Sequence, residues 1–239
     1  MRRIRKKPVL YIGLFFFLVA VLFWMIYGTD EADLSARLVI EGLKVGTAGP
    51  GAAFFCVVPI FFAVFANELP SKSMQCMLGH GITRDKLVMT KLLDALNFVV
   101  MYFIADTLFA ALMIESVRME YGISNERIGS VYAFIWITAI RYFGYIVFSA
   151  AVFFITNSTA AGVTASLVFV ALSGILERVQ KASFGHVDYV GYTFDGFINS
   201  GLKSLEGGGI CWQFLPALLY IVIVYLITVL FYRRKEFEF

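Results

Sequence analysis

Apolar residues fall into six runs of membrane-crossing length, about 9–27, 46–66, 92–114, 131–155, 160–176 and 214–232, separated by polar stretches. A helix needs roughly 20 apolar residues to cross the hydrocarbon layer. The pattern therefore predicts an all-α integral membrane protein, a single domain over 1–239 with six transmembrane helices. Pro59 lies inside the second run, where a kink is expected because proline removes one helical hydrogen bond. The fifth run is short, so it tilts little or leads into a segment that does not span.

The polar stretches carry their own periodicity. After Asp30, Glu31 and Asp33, the spacing of Leu34, Leu38 and Leu43 predicts a short amphipathic helix lying on the membrane. Between the second and third runs, Pro70 can open a helix of about two turns that Gly79 and Gly81 end. Met74, Met77 and Leu78 share one face of it, whereas Ser71, Lys72 and Gln75 lie elsewhere. Thr83 then stands at an N-cap position, with Asp85 in the first turn of a long helix that runs into the third span.

Farther along, 115–130 is a solvated connector. The uncharged turn Thr156-Asn157-Ser158-Thr159 is too short to let spans four and five be anything but antiparallel neighbours. The stretch 177–213 mixes aromatic residues with glycines, a composition suited to short helices dipping into the outer leaflet, with Trp212 as an interfacial anchor. Gly162 and Ser166 form a small-xxx-small pair in span five, fit for close packing within one subunit or between two.

Composition agrees with the runs. Hydrophobic residues make up 60% of the 239, against about 45–50% in soluble domains. Lysine and arginine set the orientation. The amino-terminal Arg2, Arg3, Arg5, Lys6 and Lys7, the loop residues Lys72, Arg84, Lys86 and Lys91, and Arg233, Arg234 and Lys235 all fall on one side. Arg37, Lys44, Arg118, Arg127, Arg178, Lys181 and Lys203 are spread over the other. Both termini are expected in the cytoplasm, and the first run reads as an uncleaved signal anchor in a multi-pass protein of the bacterial plasma membrane.

Ionisable residues inside the runs need partners. An acid at membrane depth costs about 2.5–3.5 kcal/mol on insertion scales, and Asp106 in span three is such an acid. Arg141 in span four is the matching base: at about 1.5 Å per residue the two lie roughly 13 and 15 Å from the outer ends of their spans. The expectation is an intramembrane ion pair between Asp106 and Arg141, with a water-filled path lined by either group as the open alternative. Asp94 stays near the inner headgroups.

Catalytic chemistry has little support. No G-x-x-x-x-G-K-[ST] phosphate loop, HExxH helix or serine elbow occurs, and His80 and His186 are the two histidines. Cys56, Cys76 and Cys211 are too scattered for a disulfide framework or a zinc motif. Neither a metal site nor nucleic-acid binding is expected.

The segment Glu68, Lys72, Leu78, Gly81-Ile82-Thr83-Arg84, Lys86 and Lys91 resembles the loop between spans two and three of type-2 ABC exporter permeases, the membrane subunits of ATP-binding-cassette exporters. The match is specific over about 25 residues and topological elsewhere. It implies a coupling helix, with Glu68, Lys72, Met74, Met77, Leu78, Gly81, Thr83, Arg84 and Lys86 meeting a separate ATPase subunit that binds ATP and Mg, while this chain holds no cofactor. It also implies a second permease subunit, identical or different, and re-entrant helices between spans five and six. The short basic start departs from the longer interfacial helix of many members. Compact members resemble exporters of amphipathic peptides, antibiotics or drugs. The alternatives from other classes are an ATPase-independent carrier using Asp106 and a non-transporting immunity or scaffold protein.

Overall fold

The computed structural model describes residues 8–27, 36–66, 83–121, 125–183, 193–206 and 214–234, and among these residues every element is helical. In chain order they are α1 (Pro8–Tyr27), α2 (Ala36–Ala48), α3 (Pro50–Phe61, continued by a π-helical turn Phe62–Ala66), α4 (Arg84–Tyr121), α5 (Asn125–Thr156), α6 (Thr159–Ser183), α7 (Phe194–Glu206) and α8 (Phe214–Arg234).

Three stretches are long and apolar enough to cross a membrane: Arg84–Ser116, Arg127–Thr156 and Leu215–Arg234. A fourth is reached if Val39–Ala48 and Pro50–Phe65, bent by 43° at the break between them, count as one span. Pro8–Phe23 and Thr159–Leu172 are apolar but shorter. Along α1, Tyr11, Ile12, Phe15 and Phe23 are exposed, and along α8 so are Leu215, Leu219, Val222 and Phe231. In water such continuous apolar faces are a liability, whereas in lipid they are the required surface. The chain is a membrane protein.

Of the amphipathic segment after α1, Leu34 lies outside the described residues, and the described part, α2, does not lie on a surface. Val39, Ile40, Leu43 and Thr47 of α2 are buried, and α2 packs along α1 and against α4 and α5. Gly42 and Gly46 make this possible: a Cβ at Gly46 would sit 2.5 Å from the backbone oxygen of Val21, so α1 and α2 touch backbone to backbone. An amphipathic helix does form over Ala36–Ala48, with Leu43 on its buried face, but the partner of that face is protein instead of lipid.

The second run is likewise not one helix from Gly46. It breaks at Gly49, whose extended backbone (φ −64°, ψ 152°) caps α3, with Pro50 at the first helical position where its missing N–H costs nothing. Pro59 lies within α3, just ahead of the π-helical turn. It packs against Gly13 of α1, where a Cβ would meet the proline ring at 2.6 Å. Tyr102 of α4 closes that junction by donating to the Leu10 carbonyl at 2.7 Å.

The α5–α6 connection is as tight as its sequence requires. Asn157 takes a left-handed conformation (φ 54°), and the Ser158 hydroxyl accepts from the Ala161 N–H at 3.3 Å, capping α6. Gly162 then packs under Phe61 and Phe153, so this small residue serves contact within the chain. Stacked and edge-on rings of Phe61, Phe65, Phe153, Phe154 and Tyr232 tie the ends of α3, α5 and α8 together. With Gly162, these contacts gather the carboxy-terminal ends of α3, α5 and α8 and the amino-terminal end of α6 at one end of the bundle.

Candidate functional site

Polar side chains inside this apolar bundle concentrate in three places. The first is the α2–α3 break. Because α2 stops at Ala48, the carbonyls of its last turn lack helical partners. Tyr142 of α5 supplies one, its hydroxyl donating to the Thr47 carbonyl at 2.5 Å and lying 3.4 Å from that of Gly49. The Thr47 hydroxyl in turn donates to Asp106 Oδ2 of α4 at 3.0 Å. Thr47, Asp106 and Tyr142 are all fully buried, and among the described residues Asp106 Oδ1 has no hydrogen-bond partner.

The second cluster joins α5 to α7. Thr193 caps α7 through the Gly196 N–H at 3.1 Å, which sets Asp195 in the first turn, favoured by the helix dipole. Asp195 and Asn199 are one turn apart on α7, as Arg141 and Tyr145 are on α5. Arg141 Nε lies 3.6 Å from Asp195 Oδ1, its guanidinium also donates to the Asn199 side-chain oxygen, and the Tyr145 hydroxyl donates to Asp195 at 2.6 Å. Beside them Gly144 leaves room for the Phe194 ring, which a Cβ would strike.

The expected pairing of Asp106 with Arg141 is therefore corrected: the two residues take different partners. Their depths were compatible, but depth does not fix direction. Arg141 and Tyr142 are consecutive on a helix and point about 100° apart. It is Tyr142 that faces Phe103 and Thr47 on the Asp106 side, at a ring distance of 5.6 Å from Phe103, while Arg141 faces α7.

The third cluster is at the end of the bundle from which the 67–82 segment leaves. Thr83 precedes α4, its carbonyl accepting from the Leu87 N–H at 3.0 Å. Arg84 Nη1 donates to the carbonyl oxygens of Tyr232 at 3.0 Å and Arg233 at 2.8 Å, with its guanidinium 6.0 Å from the centre of the Tyr232 ring. Arg233 returns the contact, its Nε donating to Asp85 Oδ1 at 2.7 Å and its guanidinium pairing with the other carboxylate oxygen. That guanidinium holds Asp85 below the usual carboxylate range. Lys86 is exposed. Glu68, Lys72, Met74, Met77, Leu78 and Gly81 lie outside the described residues.

Sequence reasoning missed Thr47, Tyr142, Asp195, Asn199 and the Asp85–Arg233 bond. Gly49-Pro50 is a helix-start signal that marks the break, and Asp195 with Asn199 at one-turn spacing is a polar stripe calling for a partner. Nothing in the chain pattern announces Tyr142. Among the described residues no three His, Cys, Asp or Glu side chains converge to hold a metal ion. No model of a known family, no curated protein and no solved structure matches the chain.

Proposed function

We propose that this chain is the permease subunit of an ABC exporter, working with a separate ATPase and a second permease subunit, identical or different. In this reading α1, the bent α2–α3 pair, α4, α5, α6 and α8 supply six spans. α7 is a re-entrant helix on the outer side, and both termini lie in the bacterial cytoplasm. The segment from Glu68 to Arg84 is the coupling element, and ATP with Mg is bound by the partner ATPase.

The observation that carries the reading is the clamp at the end of the loop. Arg84 and Asp85, which open α4 where that segment ends, are bonded to Tyr232 and Arg233 at the end of α8. A push on the loop is thus delivered to α4 and α8 together, one helix after the loop and one remote in sequence. ATP binding would favour closed ATPases, bring the two coupling segments together and shift the bundles toward an outward or occluded packing. Amphipathic peptides, antibiotics or drugs are the substrates to try first.

A photo-crosslinker placed at Met74 or Met77 tests this in native membranes. The reading expects a cross-link to a cassette ATPase that changes in yield with ATP. Cross-linking to lipid alone would overturn it. The carrier alternative retains one observation in its favour, the buried Asp106 beside a helix break.

A further inference from the structure

The Asp106 carboxyl has an environment that a charge does not tolerate. It is fully buried, and no cation among the described residues takes it as an ion-pair partner. α2 presents Thr47 to it, while Lys44, one turn earlier, is engaged with Glu41 at 3.7 Å. On α3, Cys56 lies within electrostatic reach. α5 brings Tyr142, whose hydroxyl is committed to the carbonyls of Thr47 and Gly49, and Arg141, which is committed to Asp195 and Asn199. On α4 itself, the Tyr102 hydroxyl is committed to the Leu10 carbonyl of α1, and α1 also sets the ring of Phe17 against Tyr102 and Phe103.

Two oxygens of one carboxyl are treated unequally here. Oδ2 accepts from Thr47, and Oδ1 faces no donor among the described residues although it is out of reach of solvent. An ionised carboxylate placed so is strongly disfavoured. An amine or a hydrated cation needs room that a closed site does not offer. A bare metal cation needs a shell of oxygens, and the Thr47 carbonyl is already taken by Tyr142. A proton needs no room.

We propose that Asp106 is a proton-binding site. In this closed packing its carboxyl is neutral, with the proton on Oδ1 and Oδ2 serving as the carbonyl oxygen that accepts from Thr47. Opening the α2–α3 break to water lets the proton pass to a water molecule and leaves the carboxylate hydrated, so opening and proton release are linked. The inference stands on the packing of α2, α4 and α5 and holds with or without an ATPase partner.

Infrared difference spectroscopy of the full chain in lipid nanodiscs at about pH 5, near the ordinary carboxylate range, tests it. Wild type minus Asp106→Asn should show the C=O stretch of a protonated carboxyl. Thr47→Val should keep that band and move it to higher frequency, because a C=O relieved of its hydrogen bond stiffens. Absence of the band in folded wild type, or a band that neither substitution changes, overturns the proposal. So does loss of the band when sodium replaces potassium, which would make a metal cation the ligand. Should Asp106→Asn fail to fold, the Thr47→Val shift carries the test alone. A failed cross-link to an ATPase leaves this spectrum unaffected, so the two readings fail separately.

Discussion

Arg84, the first residue of α4, donates from one guanidinium nitrogen to the carbonyls of both Tyr232 and Arg233 in the last turn of α8. Those carbonyls are among the four that a helix end leaves without partners, and they sit at the negative end of the α8 dipole. Replacing Arg84 with alanine should cost about 1 kcal/mol, the lower end for a charged hydrogen bond because the site is partly open to solvent. That corresponds to about 2–4 °C in thermal midpoint for a chain of this size. Arg84→Lys keeps the charge but not the planar fork and should recover less than half of the loss in the same melting assay.

The Asp85–Arg233 bond predicts a pH dependence with a definite sign. Arg233 lowers the Asp85 carboxyl in the folded chain relative to its ordinary value. The stabilisation is therefore fully present above the unfolded value of about 3.9 and is lost as pH falls through the lower folded value. Melting curves of wild type and Asp85→Asn should differ by a constant amount from about pH 5 upward and converge in stronger acid. A difference that instead grows on acidification contradicts the assignment.

Which residue Arg141 serves is decided by a double-mutant cycle. Arg141→Met leaves Asp195 half-buried without its cation and should destabilise by about 3 kcal/mol. Asp195→Asn in the same chain should restore more than 1 kcal/mol of that. Asp106→Asn combined with Arg141→Met should be additive within about 0.5 kcal/mol. Coupling of Arg141 to Asp106 instead of Asp195 would reinstate the ion pair that the structure replaces.

The seat of α7 on α5 depends on Gly144. A methyl group there meets the Phe194 ring, so Gly144→Ala should push α7 away and cost about 1–3 kcal/mol, as overpacking does. Phe194→Leu in the same background should relieve most of it. Hydrogen exchange over 194–206 reports the effect directly, with faster exchange in the single mutant and near-wild-type exchange in the double.

How much of this was legible in the chain follows from what periodicity encodes. Helix existence and rough extent were: the runs at 131–155 and 214–232 sit inside α5 and α8, and the turn at Asn157 was placed by its length alone. Rotation of one helix about its axis was not, because a strongly apolar helix has no polar face to orient it. Arg141 could therefore be matched to Asp106 by depth, though one position along, Tyr142 was the residue facing that side. α2 failed for a related reason: an amphipathic stripe states that a face must be covered, and Gly42 and Gly46, which select α1 as the cover, act through the absence of side chains. The loop carrying Met74 and Met77 was read from its spacing and by resemblance and lies outside the described residues, while the clamp at its end needed Tyr232 and Arg233, some 148 residues away in sequence.

The central claim, that the 68–84 segment couples this bundle to an ATPase, is tested most directly by purifying the chain from native membranes in mild detergent and assaying the eluate for a bound cassette ATPase. Wild type is compared with a Gly81→Pro plus Arg84→Glu variant, and with Asp106→Asn as a control away from the loop. The account predicts ATPase with wild type and with Asp106→Asn and its loss from the loop variant. Recovery of no ATPase with any of the three, alongside a proton-dependent flux that Asp106→Asn abolishes, would contradict it and make the chain a carrier.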